Sequence, residues 1–205
     1  MTRNHDRLYR PLRGGTIVFN PNVGVLGTLG LIATSDGIDR WLISCYHVLG
    51  RANGAPFADN EPVTQGDLVT PIARLRSARA DSALDCIAAE VDPGVACVRD
   101  ILGLPPVTQV GQPMVGMRVV KSGRETGVTE GLVEAINGNE VVIGLVPTFP
   151  RDYELSGVGD SGAVWIEPTS GAAMALHRAG NSATRKAFAA SFPAVLTSLG
   201  LNLLA

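Results

Sequence analysis

The 205-residue chain has little charge, few aromatic residues and no long uninterrupted apolar segment. Only 18% of its residues are charged and the formal net charge is −2, which gives no electrostatic basis for binding nucleic acid. The longest apolar-rich stretch, residues 23–33, is too short and too rich in glycine to span a bilayer. No apolar segment of a secretory signal follows Met1. We therefore expect a cytoplasmic protein without nucleic-acid or membrane partners.

Signatures of disulfides and metal sites are also missing. The three cysteines are an odd number without CxxC spacing, which favours neither a disulfide framework nor a zinc site. Cys45 and His47 are neighbours, but two further ligands at metal-site spacing are absent. Cys45, Cys86 and Cys97 are most simply buried free thiols. The sequence predicts no metal and no cofactor.

Apolar residues make up 45% of the chain, enough to build a substantial core and to exclude general disorder. The 24 glycines and 13 prolines favour many short strands joined by tight turns. The predicted strands fall into two groups, 16–19, 25–33, 41–44, 67–75 and 83–91, followed by 117–121, 128–136, 140–146, 163–167 and 172–177.

The segments between and beyond these groups are predicted to be a connector, a hairpin turn and one helix. Residues 103–113 contain three prolines, which cannot all donate to a strand ladder. Asn137-Gly138 is a strong hairpin signal because both residues tolerate positive φ. The helix begins near Ser191, which can cap it, and Pro193 fits its first turn. These patterns predict an all-β chain in two halves with a short C-terminal helix.

Three segments carry residues for peptide-bond chemistry. They are 42–49, an apolar strand that runs into His47; 81–89, an acid followed by a strand; and 157–164, a glycine-rich turn around Ser161. Amide hydrolysis needs a nucleophile, a base and an orienting carboxylate, together with donors for the oxyanion. The backbone amides of Gly159 and Ser161 could supply those donors. The order His, Asp, Ser and the lack of a G-x-S-x-G elbow exclude an α/β-hydrolase.

These motifs resemble those of the trypsin-like (chymotrypsin-fold) serine proteases. Residues 44–49 resemble the histidine motif, 85–88 the aspartate motif and 159–162, Gly-Asp-Ser-Gly, the nucleophile motif. The likeness is strongest to disulfide-free, intracellular-type bacterial members, which carry runs similar to Gly-Thr-Leu-Gly at 27–30 and Lys-Ser-Gly-Arg-Glu-Thr-Gly at 121–127. It covers nearly the whole chain.

The resemblance implies two packed six-stranded antiparallel β-barrels with the catalytic cleft between them. A basic N-terminal arm would span 1–13, the first barrel 14–102, the connector 103–113, and the second barrel with the C-terminal helix 114–205. The arm carries four arginines that could contact an acidic partner, although a solvated, frayed terminus is the more common state.

The resemblance also implies a catalytic triad. Ser161 would be the nucleophile, His47 the general base and Asp85 the carboxylate that fixes the imidazole tautomer. Asp81, four residues before Asp85, is the competing candidate for the acid. In many secreted relatives the aspartate at the position of Asp160 pairs with a new N-terminus made by cleavage. Nothing in this sequence marks an activation site, so local backbone N–H groups are an alternative partner for Asp160.

His177 and Ser156 are the candidate substrate-binding residues. His177 lies in the segment that lines the specificity pocket in this fold, and related proteases that cut after Glu or Gln place a histidine in a similar context. Ser156 would line the same pocket. We therefore expect a serine endopeptidase that acts on polypeptides after Glu or Gln. The alternatives are a catalytically silent peptide-binding module and an enzyme gated by an activating or regulatory protein.

Overall fold

The computed structural model describes residues 4–66, 69–150 and 152–204 and consists mostly of β-strands. The strands are β1 (Leu12–Gly14), β2 (Thr16–Phe19), β3 (Leu26–Leu29), β4 (Ile32–Thr34), β5 (Trp41–Ser44), β6 (Pro62–Thr64), β7 (Pro71–Asp81), β8 (Cys86–Val91), β9 (Cys97–Ile101), β10 (Gln109–Val110), β11 (Arg118–Gly123), β12 (Gly127–Asn137), β13 (Glu140–Gly144), β14 (Val164–Glu167), β15 (Ala172–Asn181), β16 (Lys186–Ser191) and β17 (Asn202–Leu203). The helices are α1 (Tyr46–Leu49) and α2 (Phe192–Leu199), with 3-10 turns at Asn4–Asp6 and Ala52–Gly54.

The C-terminal half forms a closed six-stranded barrel. Its strands follow the order β15-β14-β11-β12-β13-β16, and β16 returns to pair with β15. The short β10 adds to β15 in parallel, outside the closed ring. The barrel encloses an apolar core that includes Val119, Ile143 and Trp165. One of the two predicted barrels is therefore present with the predicted strand number.

The N-terminal half is a curved half-barrel of eight strands, in the order β17-β4-β5-β8-β7-β6-β2-β3. The end of β3 reaches β5, because the Gly30 N–H donates to the Ile43 carbonyl at 2.8 Å. The eight strands exceed the six expected, in part because β17, at the far end of the chain, pairs with β4. The segment 114–205 therefore does not pack only within the second half.

Helix α2 forms where the sequence predicts it. Its apolar stripe, Phe192, Val195, Leu196 and Leu199, is buried. Pro193 lies in its first turn, and Gly200, with φ +62, ends it in the left-handed conformation. The Ser191 side chain makes no capping hydrogen bond. Neither helix of the described chain has the length and apolar character that a membrane span requires.

Two other local predictions need adjustment. The β12–β13 hairpin is present, but Asn137 is its last paired residue and Gly138, with φ +61, takes the first turn position. The predicted strand 67–75 begins at residues 67 and 68, which lie outside the described residues, and its described part continues further, to Asp81.

The two halves meet through close backbone contacts between β3 and the loop before β14. The Thr28 N–H donates to the Ser161 carbonyl at 2.8 Å. A Cβ on Gly30 would lie 2.4 Å from the Gly162 carbonyl oxygen, and a Cβ on Gly162, which has φ +98, would lie 2.1 Å from that of Thr28. Only glycine fits both positions. The glycines of the 27–30 run thus let the first half approach the Ser161 loop.

Candidate active site

His47 and Asp85 come together because β5 pairs with β8. Ser44 lies opposite Ile87 in that pairing, so α1, directly after β5, faces the turn that precedes β8. Asp85 Oδ2 lies 2.7 Å from His47 Nδ1, and Asp85 Oδ1 accepts the His47 backbone N–H at 3.0 Å. A neutral imidazole that donates from Nδ1 to a carboxylate keeps Nε2 free to accept a proton. This geometry suits a general base.

Asp81 serves a different purpose. Its Oδ1 accepts the backbone N–H groups of Ala83 and Leu84 at 2.9 and 3.0 Å. The hydroxyl of Ser198 donates to its Oδ2 and lowers the pKa of the carboxyl group. Asp81 therefore caps the β7–β8 turn and ties it to α2, and Asp85 is the carboxylate against His47.

Ser161 faces the same cleft as His47, but its hydroxyl is directed elsewhere. The cleft has a volume of about 470 Å³ and is lined by both residues. Ser161 Oγ donates to the Arg178 carbonyl at 3.0 Å. Within the described chain no hydrogen bond joins Ser161 to His47. A rotation of the Ser161 side chain is needed before the histidine can accept its proton.

The Ser161 loop leaves two backbone donors available. Gly159 has φ +115, which L side chains rarely adopt. Its carbonyl accepts the Thr28 hydroxyl at 2.8 Å, which fixes the peptide that follows. In the described part of the chain neither the Gly159 N–H nor the Ser161 N–H has a protein acceptor. Such free amides beside a serine can stabilise an oxyanion.

Asp160 anchors this loop from inside the barrel. It is fully buried and pairs with the equally buried Lys121 Nζ at 2.8 Å. It also accepts the Thr126 hydroxyl at 2.6 Å and the backbone N–H groups of Glu125, Thr126 and Gly157 at 2.9, 3.1 and 3.0 Å. Burial alone would raise the pKa of Asp160, but Lys121 and these donors lower it to about 2. The carboxylate is therefore ionised at neutral pH.

Asp160 accepts backbone N–H groups, which the sequence offered as its alternative partner, and it also pairs with Lys121, which was not predicted. The available signal was a lysine at an inward-facing position of a predicted strand. Val119 and Lys121 are two residues apart in β11, so they lie on the same face of the strand, and both are buried. A lysine at such a position requires a buried anion as partner. Asp160 supplies it.

His177 and Ser156 are adjacent at one end of the cleft. Ser156 Oγ lies 2.7 Å from His177 Nε2. Burial, and then the positive charge of Lys121, lower the pKa of His177 to about 3, so the ring is neutral at pH 7. The other ring nitrogen, Nδ1, is buried without a hydrogen-bond partner among the described residues. The ring instead packs edge-on against Trp165.

One cluster near the cleft has donor atoms of the kind that bind metals. Ligand atoms of Cys45, His47 and Asp85 lie within 4.8 Å of one another. His47 Nδ1 and Asp85 are already paired, and the buried Cys45 thiol donates to the His177 carbonyl at 3.1 Å. Burial raises the pKa of Cys45 well above its ordinary value, so the thiolate that a metal requires is disfavoured.

A scan against protein-family models and a search of curated proteins both find no match. The search of solved structures finds similar folds. A glutamic-acid-specific serine protease described as using a novel histidine triad in substrate binding aligns with a TM-score of 0.72 and 16% identity, over 94% of this chain and 100% of that one. Protease A of Thermobifida fusca aligns with a TM-score of 0.72 and 15% identity, over 95% and 100%. The α-lytic protease homologue N4 aligns with a TM-score of 0.65 and 21% identity, over 93% and 97%.

These likenesses show that the chain has the chymotrypsin fold of bacterial serine proteases, without disulfides, since all three cysteines are free. The fold class expected from the sequence is confirmed. Of the three histidines of the chain, His5 contacts Ser122, His47 contacts Asp85 and His177 contacts Ser156.

Proposed function

We propose that the chain is a serine endopeptidase. Ser161 attacks the scissile carbonyl, His47 takes the hydroxyl proton and returns it to the leaving amine, and Asp85 holds the imidazole. An acyl-enzyme forms and is then hydrolysed by water. The amides of Gly159 and Ser161 bind the oxyanion. The observation that carries the proposal is that His47, held 2.7 Å from Asp85, lines the same cleft as Ser161.

The resting position of Ser161 is compatible with this mechanism. Its hydroxyl donates to the Arg178 carbonyl, and a rotation about one side-chain bond exchanges this contact for a bond to His47 Nε2. Catalytic hydrogen bonds are commonly long or misaligned before substrate binds. The Lys121–Asp160 pair holds the loop backbone without requiring a newly made N-terminus.

We further propose cleavage after Glu or Gln. Ser156 and His177 lie at one end of the cleft, 2.7 Å apart. When His177 Nε2–H donates to Ser156 Oγ, the Ser156 hydroxyl proton stays free to donate to the oxygen of a carboxylate or amide. Because His177 is neutral at pH 7, it acts as a hydrogen-bond donor and not as a counter-charge. The specificity of the glutamic-acid-specific relative is consistent with this assignment.

Labelling with a fluorophosphonate probe tests the proposed function. The probe reacts with a serine only when a base and an oxyanion hole are formed around it. We expect the wild-type chain to be labelled and the Ser161→Ala variant to remain unlabelled. A folded wild-type chain that takes up no probe would contradict the proposal and favour the silent or partner-gated alternative.

A further inference from the structure

The N-terminal arm docks against the segment that holds Asp160. Residues 4–6 form a 3-10 turn, in which Asp6 pairs with Arg124 Nε at 2.8 Å. Both side chains are largely buried, with 20% and 16% exposed. One residue earlier, His5 Nε2 lies 3.1 Å from Ser122 Oγ. This part of the arm is therefore built into the fold and is not a frayed end.

We call residues 121–127 the Asp160 cradle, because Lys121, Glu125 and Thr126 all bond to that carboxylate. Arg124 lies at the centre of the cradle. Its backbone N–H donates to Thr28 Oγ1 at 3.0 Å, and the same hydroxyl donates to the Gly159 carbonyl at 2.8 Å. Through Thr28 the cradle is thus linked to the 159–160 peptide, which lies between the two free amides.

The Arg124 side chain also reaches the Ser161 loop directly. A Cβ placed on Gly159 would lie 3.0 Å from Arg124 Nη1, so the guanidinium packs over the Gly159 backbone. Its described ionic partners are Asp6, and more distantly Glu125 at 3.3 Å. A planar guanidinium held by a carboxylate has a fixed orientation, whereas a released arginine has several rotamers.

We propose that Asp6 is a positioning residue for the oxyanion hole: through Arg124 it holds the Gly159 backbone in the geometry that binds the oxyanion. Asp6 touches no reacting atom and acts only through this clasp, which we define as the Asp6–Arg124 pair. The inference rests on the proposed function, because it concerns the same oxyanion hole. Misplacing a donor by a fraction of an ångström weakens transition-state binding more than ground-state binding.

The test measures fluorophosphonate inactivation of wild type, Asp6→Asn, Asp6→Glu and the control Glu90→Gln. Glu90 forms an ion pair of similar length but greater exposure, 2.7 Å from Arg76, in the N-terminal sheet and away from the cradle. The maximal inactivation rate constant and the half-saturating probe concentration are determined separately, well below the thermal midpoint of each variant. We expect Asp6→Asn to lower the rate constant about 10-fold, with little change in half-saturation. Asp6→Glu should recover most of the rate, and Glu90→Gln should match wild type.

Hydrogen–deuterium exchange supplies a readout that needs no activity. In Asp6→Asn, peptides covering 121–127 and 157–163 should exchange faster than in wild type, and in Glu90→Gln they should not. A labelled wild type whose rate constant and exchange are unchanged by Asp6→Asn would overturn the clasp and leave the proposed function intact. A wild type that takes up no probe would instead contradict the proposed function, and unchanged exchange would then overturn the clasp as well.

Discussion

Two aspartates four positions apart in sequence make different contacts, and these contacts assign their roles. Asp85 gives both carboxylate oxygens to His47, one to the ring and one to the backbone. Asp81 gives its oxygens to a turn and to Ser198. From sequence alone both were candidates, because each precedes a strand. The pairing register of β5 and β8 distinguishes them, and a one-dimensional pattern does not contain that register.

Asparagine substitutions test this assignment. Asp85→Asn cannot hold the imidazole in the tautomer that accepts a proton, so we expect turnover to fall about 10⁴-fold. Asp81→Asn should keep activity within about twofold and cost about 1 kcal/mol of stability, through the weakened turn. Steady-state kinetics and chemical denaturation of both variants provide the measurement. Loss of activity in Asp81→Asn alone would overturn the assignment.

His177 predicts a pH dependence of stability. Its pKa is about 3 in the folded protein and about 6.5 when unfolded, so between these values only the unfolded state binds the proton. The free energy of unfolding should therefore decrease as the pH falls through this window, by up to about 1.4 kcal/mol per pH unit.

Guanidinium denaturation between pH 7 and 4.5 measures this slope against that of His177→Gln. Burial also lowers the pKa of His5, which contributes in the same direction in both proteins, so the difference in slope isolates His177. Equal slopes would show that the His177 ring is not held neutral.

At the scale of elements, the Asp160 cradle is the turn end of the hairpin formed by strands β11 and β12. Gly123 lies opposite Gly127 at its end, and a Cβ on Gly123 would lie 2.2 Å from Asp160 Oδ1. The strand pattern of this region was predictable from its alternation of apolar residues. The inward position of Lys121 indicated that it needs a buried anion, but not which one, because Asp160 lies 39 residues away and only the closed barrel brings the two together.

Removing Lys121 should destabilise the whole barrel. Lys121→Met leaves the Asp160 carboxylate buried without its cation, which costs about 3–5 kcal/mol of the free energy of unfolding. The control is Arg118→Met on the same strand, since Arg118 is 57% exposed and its pair with Glu130 contributes at most about 1 kcal/mol. Chemical denaturation compares the two. Equal losses would contradict the role assigned to the buried pair.

At the scale of the whole molecule, the strand pattern predicts the two halves, and the resemblance to trypsin-like proteases implies the cleft between them. Neither predicts that the C-terminal strand β17 joins the first sheet. β17 has only two residues, Asn202–Leu203, and so carries no periodic signal, and its partner β4 lies near the other end of the chain. Such non-local pairing depends on α2, whose packing against β7, β8 and β15 directs the chain end back to the first sheet.

The absence of disulfides predicts how the thiols react. Cys45 and Cys86 are fully buried, and burial raises the pKa of Cys86 to about 12, whereas Cys97 is partly exposed. We expect a thiol-specific reagent to modify one cysteine in the folded chain, slowly, and all three after unfolding. Mass spectrometry of the modified peptides identifies the sites. Rapid labelling of Cys45 in the folded chain would show that this thiol is not buried against the His177 carbonyl as described.

The proposal that Ser161, with His47 and Asp85, hydrolyses peptide bonds is tested most directly with a peptide library. Purified wild-type chain and Ser161→Ala are incubated with the library, and mass spectrometry locates every cut. We expect cuts after Glu or Gln with the wild type and none with Ser161→Ala. Cuts dominated by Arg, Lys or large apolar residues would contradict the assigned specificity. Intact peptides with the wild type, or equal cutting by both proteins, would contradict the claim itself.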